Sequence, residues 1–220
     1  MTIGDHGMPT ALRARVFADL QPVRPLAPPW KRALVVVPAA LLLAGLTRLL
    51  YGTRQDLGIL MLWGASLLQA AVAVALAVAA LREVIPDRKL TQKGAVALFA
   101  LGFGGALVVT MLAWHESPTV APPSRQYVYW LFCLRHTIVF GLPALAILLA
   151  LAARGALWRP GLVGTLAGLS AGLLADAGWR TFCSVSEPRH VLTSHFAGVV
   201  ALVLIGGVAA NVVAFLRRPR

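Results

Sequence analysis

The sequence predicts an all-α, polytopic integral membrane protein, a bundle of six transmembrane helices with both termini in the cytoplasm. Composition is the first reason, because 59% of the residues are hydrophobic and the mean hydropathy is +0.78. Charged residues make up only 13% of the chain, about half the share typical of a soluble domain. These charges also fall in short segments between apolar stretches of about twenty residues, the length that crosses a bilayer as a helix.

The apolar stretches predict helices, because Ala, Leu, Val and Gly fill them without the alternation of polar and apolar positions that a membrane barrel requires. No small-residue cleavage site follows the first stretch, so we expect a retained span and not a cleaved signal. The transmembrane domain is therefore predicted over residues 33–216. Its six spans are expected at Ala33–Leu50, Leu57–Leu81, Gly94–Trp114, Leu131–Ala153, Pro160–Gly178 and Phe196–Leu216.

The positions of the lysines and arginines predict the orientation. With six spans, both termini share a side with the second and fourth loops, and fourteen of the twenty Lys and Arg residues lie on that side. Four lie in segments on the other side. We therefore expect both termini in the cytoplasm of a bacterium, with the protein in the inner membrane and its basic rim beside anionic lipid head groups. No segment is long enough for a folded basic module, so direct nucleic-acid binding is not expected.

Residues 1–32 form a predicted cytoplasmic segment, and residues 217–220 a basic cytoplasmic tail. Ala11–Leu20 can form a short amphipathic helix, and the prolines that follow predict an extended, stiff stalk. A helix of this kind can dock on a soluble partner through its apolar face. The alternatives are a helix on the membrane surface and a disordered tail. The apolar side would comprise Leu12, Val16, Phe17 and Leu20.

Both cysteines are predicted at the outer face, Cys133 at the start of the fourth span and Cys183 in the loop between the fifth and sixth spans. Two chemical interpretations are open. The thiols can form a disulfide or redox pair if their Cα atoms lie within about 7 Å, or they can bind a divalent metal together with nearby imidazoles. A third interpretation assigns them no chemistry, with Cys133 as a small apolar filler. The candidate metal ligands are Cys133, His136, Cys183, His190 and His195.

Two ionisable residues fall inside predicted spans near their outer ends, Arg135 in the fourth and Asp176 in the fifth. Burying either charge alone is costly, so one hypothesis pairs them within the membrane. The alternative is that each extends separately to the outer interface. In the fifth span Gly164, Gly168 and Gly172 recur every four residues, a pattern that lets another helix approach closely.

Sequence motifs for catalysis are missing: there is no GxSxG, no HExxH and no phosphate-binding glycine loop. Polar residues at the middle of the spans, which a transporter would need, are not evident either. We expect neither an enzyme nor a small-molecule substrate, and no cofactor beyond a divalent metal at the outer face. A metal- or redox-binding sensor or scaffold remains one functional interpretation. A membrane thiol oxidoreductase is a weaker one, because such proteins usually carry a CxxC pair.

Several segments, in their order along the chain, resemble one family. These are ADLQPVRPLAPPWKRAL before the first span, ALREVIPDR after the second, a cysteine at the start of the fourth, and RGALWRPGLVGTLAGLSAGLLADAGWRTFCSVSEPRHVLTSH over the fifth span and its loop, with a terminal arginine cluster. The chain resembles the NrsF-like family of bacterial six-span membrane anti-sigma factors. It departs from the family pattern at Phe182, where the family has a histidine before the cysteine.

The resemblance implies a function that composition does not reveal. Members hold an extracytoplasmic-function sigma factor, a subunit of RNA polymerase, at the inner membrane and release it when outer cysteines sense metal or oxidative stress. It implies that Cys133 and Cys183 are the sensing pair. It also implies that the segment from Arg15 to Trp30 is part of the sigma-binding surface, with Arg15, Val16, Phe17, Leu20 and Arg24 as contact residues.

Overall fold

The computed structural model describes residues 9–19, 25–85 and 89–217, and these residues form helices and loops without a strand. Six helices are long and apolar enough to cross a membrane, which confirms the predicted all-α class and the number of spans. Large apolar side chains such as Leu42 and Leu49 are exposed on the outside of the bundle, as lipid-facing residues would be. In chain order the six spans are Pro29–Tyr51, Leu60–Arg82, Gln92–Glu116, Pro123–Ala152, Pro160–Arg180 and Pro188–Leu216.

Local sequence signals account for the helix boundaries. The first, fourth, fifth and sixth spans each begin at a proline, whose fixed φ suits the first helical turn. The third begins after Thr91, whose side chain accepts a hydrogen bond from the Gly94 amide. The first ends at Gly52, which has a φ of +80°. The fourth and sixth spans start eight residues before their predicted starts at Leu131 and Phe196, because apolar composition marks only the part of a helix inside the bilayer.

The fifth span lies at the centre of the bundle. In its most apolar stretch 78% of the residues are buried, compared with 17–39% in the other five spans. The glycine stripe packs against the sixth span: a Cβ atom on Gly164 would lie 2.1 Å from the Gly206 carbonyl oxygen, and one on Gly168 would lie 2.3 Å from that of Leu202. The stripe is therefore an interface within one chain.

The bundle has two chemically different ends. The thiol end comprises the loop after Tyr51, the loop before Cys133 and the loop containing Cys183; Tyr51 there contacts Phe182. At the basic end, Arg32 donates a hydrogen bond to the Leu151 carbonyl. Nearby, Glu83 forms an ion pair with Arg159 (3.2 Å) and accepts a hydrogen bond from the Leu90 amide. The two ends are separated by the length of the fifth span.

An amino-terminal helix occupies Thr10–Asp19, close to the predicted range, and Arg15 in it is exposed. The other predicted sigma contacts lie outside the described part of the chain: the side chains of Val16 and Phe17, and the whole of Leu20 and Arg24. Of the basic tail, only Arg217 is described, and it donates a hydrogen bond to the Ala153 carbonyl.

Candidate thiol–imidazole site

Four buried side chains from the fourth span, the last loop and the sixth span converge at the thiol end. One ligand atom from each of Cys133, Cys183, His190 and His195 lies within 4.8 Å of the others. The two Sγ atoms are 3.6 Å apart, and the Cys183 Sγ is 3.7 Å from Nε2 of His190. Both cysteines are free thiols. We call these four residues the thiol–imidazole cluster.

A π-helical turn at Val191–Phe196 brings the two histidines together. Residues five apart in a regular α-helix point about 140° away from each other, at about 100° per residue. The wider turn, with its i→i+5 hydrogen bonds, places such residues nearly above one another. As a result the rings of His190 and His195 lie 5.6 Å apart, both buried beside Cys183.

His136, which the sequence suggested as a fifth metal ligand, is not part of the cluster. Its ring stacks on Trp179 at 4.7 Å between centroids, and its Nδ1 is 2.7 Å from the Phe132 carbonyl. Its other nitrogen, Nε2, lies 3.2 Å from the Tyr51 hydroxyl. Although Cys133 and His136 are one helical turn apart, the imidazole belongs to an aromatic layer beside the thiols.

Asp176 joins the cluster to three other spans. One carboxylate oxygen accepts a hydrogen bond from His195 Nδ1 (2.7 Å). The other accepts from Arg180 Nε and from Gln69 Nε2, both at 2.7 Å. Arg180 also donates to the Thr110 hydroxyl in the third span (2.8 Å). The second, third, fifth and sixth spans therefore meet in one buried polar network beneath the thiols.

The predicted pairing of Asp176 with Arg135 is wrong. Arg135 is exposed on the fourth span, whereas Asp176 is only 1% exposed and forms its ion pair with Arg180, one turn further along its own helix. An i, i+4 partner needs no particular packing of another helix to reach the carboxylate. Arg180 therefore neutralises the buried charge locally.

Arg54, from the loop between the first and second spans, holds the loop that contains Cys183. Its guanidinium is buried and donates to the Cys183 carbonyl (2.7 Å) and to the Ser186 hydroxyl (2.8 Å). It also forms a two-point ion pair with Asp56. The hydrogen bonds from Arg54 hold the pKa of Asp56 below its ordinary value, against the opposing effect of partial burial. Thr119 supports the same loop by bonding to Ser184 and Ser186.

The environment of Cys183 favours its thiolate. The pKa of this loop thiol is lowered, first by the hydrogen bond from the Cys133 thiol and then by His190 and His195, whereas burial acts in the opposite direction. Thiolates are the form of cysteine that attacks oxidants and binds metals. The geometry therefore suits either two-electron oxidation or metal ligation.

Sequence reasoning did not identify Arg54, Gln69 or Arg180 as part of the site. Two of them could have been recognised from the sequence. Arg180 stands four residues after Asp176, the spacing of a helical ion pair, and Gln69 is a lone amide in an apolar span. Arg54 could not be recognised in this way, because its role depends on how the loop after the first span folds against the loop after the fifth.

Comparison with known proteins identifies the family but no individual relative. No curated protein and no solved structure matches the chain. The family model for NrsF, negative regulator of sigma F, matches residues 17–215. This range includes the first five spans, all but the last residue of the sixth, and the whole thiol–imidazole cluster. The chain therefore belongs to the NrsF family of negative regulators of sigma F.

Proposed function

We propose that this multi-pass membrane protein is an anti-sigma factor of the bacterial inner membrane. It sequesters an extracytoplasmic-function sigma factor at its cytoplasmic side and releases it when Cys133 and Cys183 sense metal or oxidative stress. The observation that carries the proposal is a buried pair of thiols 3.6 Å apart in a chain that belongs to a family of sigma-factor regulators. Family membership supports the sigma-factor partner, and the thiol pair supports the sensing chemistry.

The thiol pair can respond to either kind of stress without moving far. Oxidation to a disulfide transfers two electrons and two protons to an oxidant and would bring the Sγ atoms from 3.6 Å to about 2.05 Å. Binding a thiophilic metal ion instead releases any proton that the two thiols still carry and leaves two thiolate ligands. Either event changes the contacts of Cys183 with His190 and alters the loop that Arg54 holds.

The fifth span connects the two ends of the bundle. At the thiol end, Asp176 and Arg180 take part in the buried network. At the basic end, Arg159 immediately precedes the span and bonds to Glu83 and to the Leu90 carbonyl. A stiff helix transmits a shift at one end to the other, provided that two packed arrangements have similar free energies. The signal would therefore cross about 30 Å of bilayer through this helix.

The sigma factor would bind at the cytoplasmic side through residues 1–32 and the adjoining basic loops. The proposed contacts are Arg15, Val16, Phe17, Leu20 and Arg24. The loop after the second span lies beside Arg159, so movement of the fifth span reaches this surface.

The test is co-purification of soluble proteins with the full-length chain in detergent, read beside sigma-dependent transcription in cells. We expect a sigma factor to co-purify and to be lost when residues 1–32 are deleted. Cys133→Ser and Cys183→Ser should retain the sigma factor. In these variants, the induction of sigma-dependent transcription by oxidant or metal should fall by at least about tenfold. His115→Ala is the matched control, because this outer histidine is exposed and lies outside the cluster.

Absence of any sigma factor from the purified complex contradicts sequestration. Full induction in both cysteine variants contradicts sensing by the thiols.

A further inference from the structure

We propose that the thiol–imidazole cluster is a four-ligand S2N2 site for a tetrahedral, thiophilic divalent cation of the Zn²⁺ and Cd²⁺ type, in which Asp176 is a positioning residue that orients His195. This inference rests on the proposed function, because it specifies which of the two kinds of stress chemistry the sensing site performs. It concerns only this chain and can be tested without a sigma factor.

The distances within the cluster match a tetrahedral site. Metal–sulfur bonds of about 2.3 Å at tetrahedral angles place two sulfur atoms about 3.8 Å apart, and a sulfur and a nitrogen slightly closer. The observed separations are 3.6 Å for Cys133 Sγ to Cys183 Sγ and 3.7 Å for Cys183 Sγ to His190 Nε2. The other separations in the cluster extend to 4.8 Å, so an ion can bind once the side chains draw in by up to about an ångström.

The orientation of His195 supports a ligand role. Its Nδ1 donates to the Asp176 carboxylate, so in the neutral ring the proton sits on Nδ1 and Nε2 carries the lone pair that a metal ion would use. Nε2 is buried and has no hydrogen-bond partner among the described residues. Buried ring nitrogens are normally paired. A carboxylate–histidine pair with the second nitrogen free is the usual arrangement around a metal-bound imidazole.

Charge and ligand type select the ion. Two thiolates neutralise a divalent cation, and Arg180 already neutralises Asp176, so the occupied site adds no net charge to the buried region. Sulfur and imidazole ligands favour Zn²⁺ and Cd²⁺ over Mg²⁺ and Ca²⁺, which prefer oxygen. The ligand set uses His190 and His195, so it does not need a histidine at Phe182.

A surface cavity adjoins one of the four ligands. His190 lines a cavity of about 340 Å³ together with Trp130, Arg189 and Thr193, and the same imidazole reaches Cys183 on its inner side. A smaller cavity on the inner side is lined by Cys183, His195 and Arg180. An ion from the outer compartment can thus meet His190 first and the thiolates second.

The test is titration of the reduced, full-length protein in detergent with Co²⁺ and then Cd²⁺. We expect one ion per chain, the strong visible bands of tetrahedral Co²⁺ and a thiolate-to-metal charge-transfer band. Cys133→Ser, His190→Ala and His195→Ala should abolish the tetrahedral spectrum, whereas His115→Ala and His136→Ala should leave it unchanged. Asp176→Asn should keep the spectrum but weaken binding by about 10–100-fold.

The variant His190→Cys is a control for loss of metal binding that is caused by misfolding and not by loss of a ligand. It supplies another soft ligand, so it should retain tetrahedral Co²⁺ with a stronger charge-transfer band. Absence of tetrahedral Co²⁺ in the unaltered protein overturns the site, and an unchanged spectrum in His190→Ala or His195→Ala overturns the ligand set. If no metal binds while a sigma factor still co-purifies and the cysteine variants still lose induction, this inference fails and the proposed function stands through oxidation.

Discussion

At the scale of single residues, the thiol end is organised by two arginines that each neutralise a carboxylate while holding other groups. Arg180 pairs with Asp176 inside the bundle, and Arg54 pairs with Asp56 in the loop after the first span. Each uses its remaining N–H groups on a neighbouring element, Thr110 in one case and the Cys183 loop in the other. A planar guanidinium with five donors can do both tasks, and a lysine cannot.

The Arg54–Asp56 pair predicts a pH dependence of stability. Because the pKa of Asp56 is lowered in the folded state, its carboxylate stabilises the fold at any pH above the unfolded value of about 3.9, and this contribution is lost as the pH falls through the lower folded pKa. We expect Asp56→Asn to lower the Tm in detergent by about 2–4 °C at pH 7, corresponding to about 1 kcal/mol. The difference from the unaltered protein should begin to shrink below about pH 4 and should be lost only as the pH falls through the lowered folded pKa.

The matched control is Glu187→Gln, because the Glu187 carboxylate forms no ion pair within the described part of the chain. This variant should have an unchanged Tm at pH 7. A difference between Asp56→Asn and the unaltered protein that persists or grows at pH 3 would show that the ion pair is not its cause.

At the scale of elements, the fifth and sixth spans form the tightest contact in the bundle. Apolar surface gives helices no strong drive to associate within lipid, so close backbone packing has to supply the attraction. The glycine stripe allows this approach from one side, and Gly206 allows it from the other. The same contact fixes the rotation of the sixth span, and with the π turn it directs His190 and His195 towards the thiols.

We expect Gly168→Ala to destabilise the bundle, because the added Cβ would lie 2.3 Å from the backbone oxygen of Leu202, which cannot move independently of its helix. Overpacking of this kind costs about 1–3 kcal/mol, or about 2–12 °C in Tm for a chain of this length. Gly105→Ala in the third span is the matched control, because no atom lies within 4 Å of its added Cβ. Thermal unfolding in detergent measures both. An equal Tm for the two variants would contradict close packing of the stripe.

At the scale of the whole molecule, the chemistry is divided between the ends of the helices. Thiols, imidazoles and a buried carboxylate lie at one end, whereas Arg32, Arg159 and Arg217 lie at the other. The bundle between them exposes apolar side chains all around. The proposed signalling requires these ends to face different compartments.

Single introduced cysteines test this orientation. In a Cys133→Ala, Cys183→Ala background, Gln55→Cys should react in intact cells with a thiol reagent that cannot cross the inner membrane. Lys93→Cys should react only after the cells are opened. Both positions are exposed, so the difference reports the compartment and not burial. Labelling of Lys93→Cys but not Gln55→Cys in intact cells would reverse the topology and remove the thiols from the outer face.

The sequence by itself determined the helical class, the six spans and the grouping of both cysteines with His136, His190 and His195 at one end. These features follow from hydropathy, segment length and the alternation of sides, which are properties of the chain that do not depend on which helices pack together. It also suggested the right family, since the order of motifs is linear information.

Only the tertiary structure decided which side chains form the site. His136 and His195 were both predicted as ligands, but only His195 lies in the cluster. The difference arises because the rotation of each helix is set by its packing partners. The partner of Asp176 and the role of Arg54 depended likewise on contacts between distant segments. The π turn changes the register of the sixth span, so that the helix presents a different face, and no composition or spacing rule records where such a turn falls.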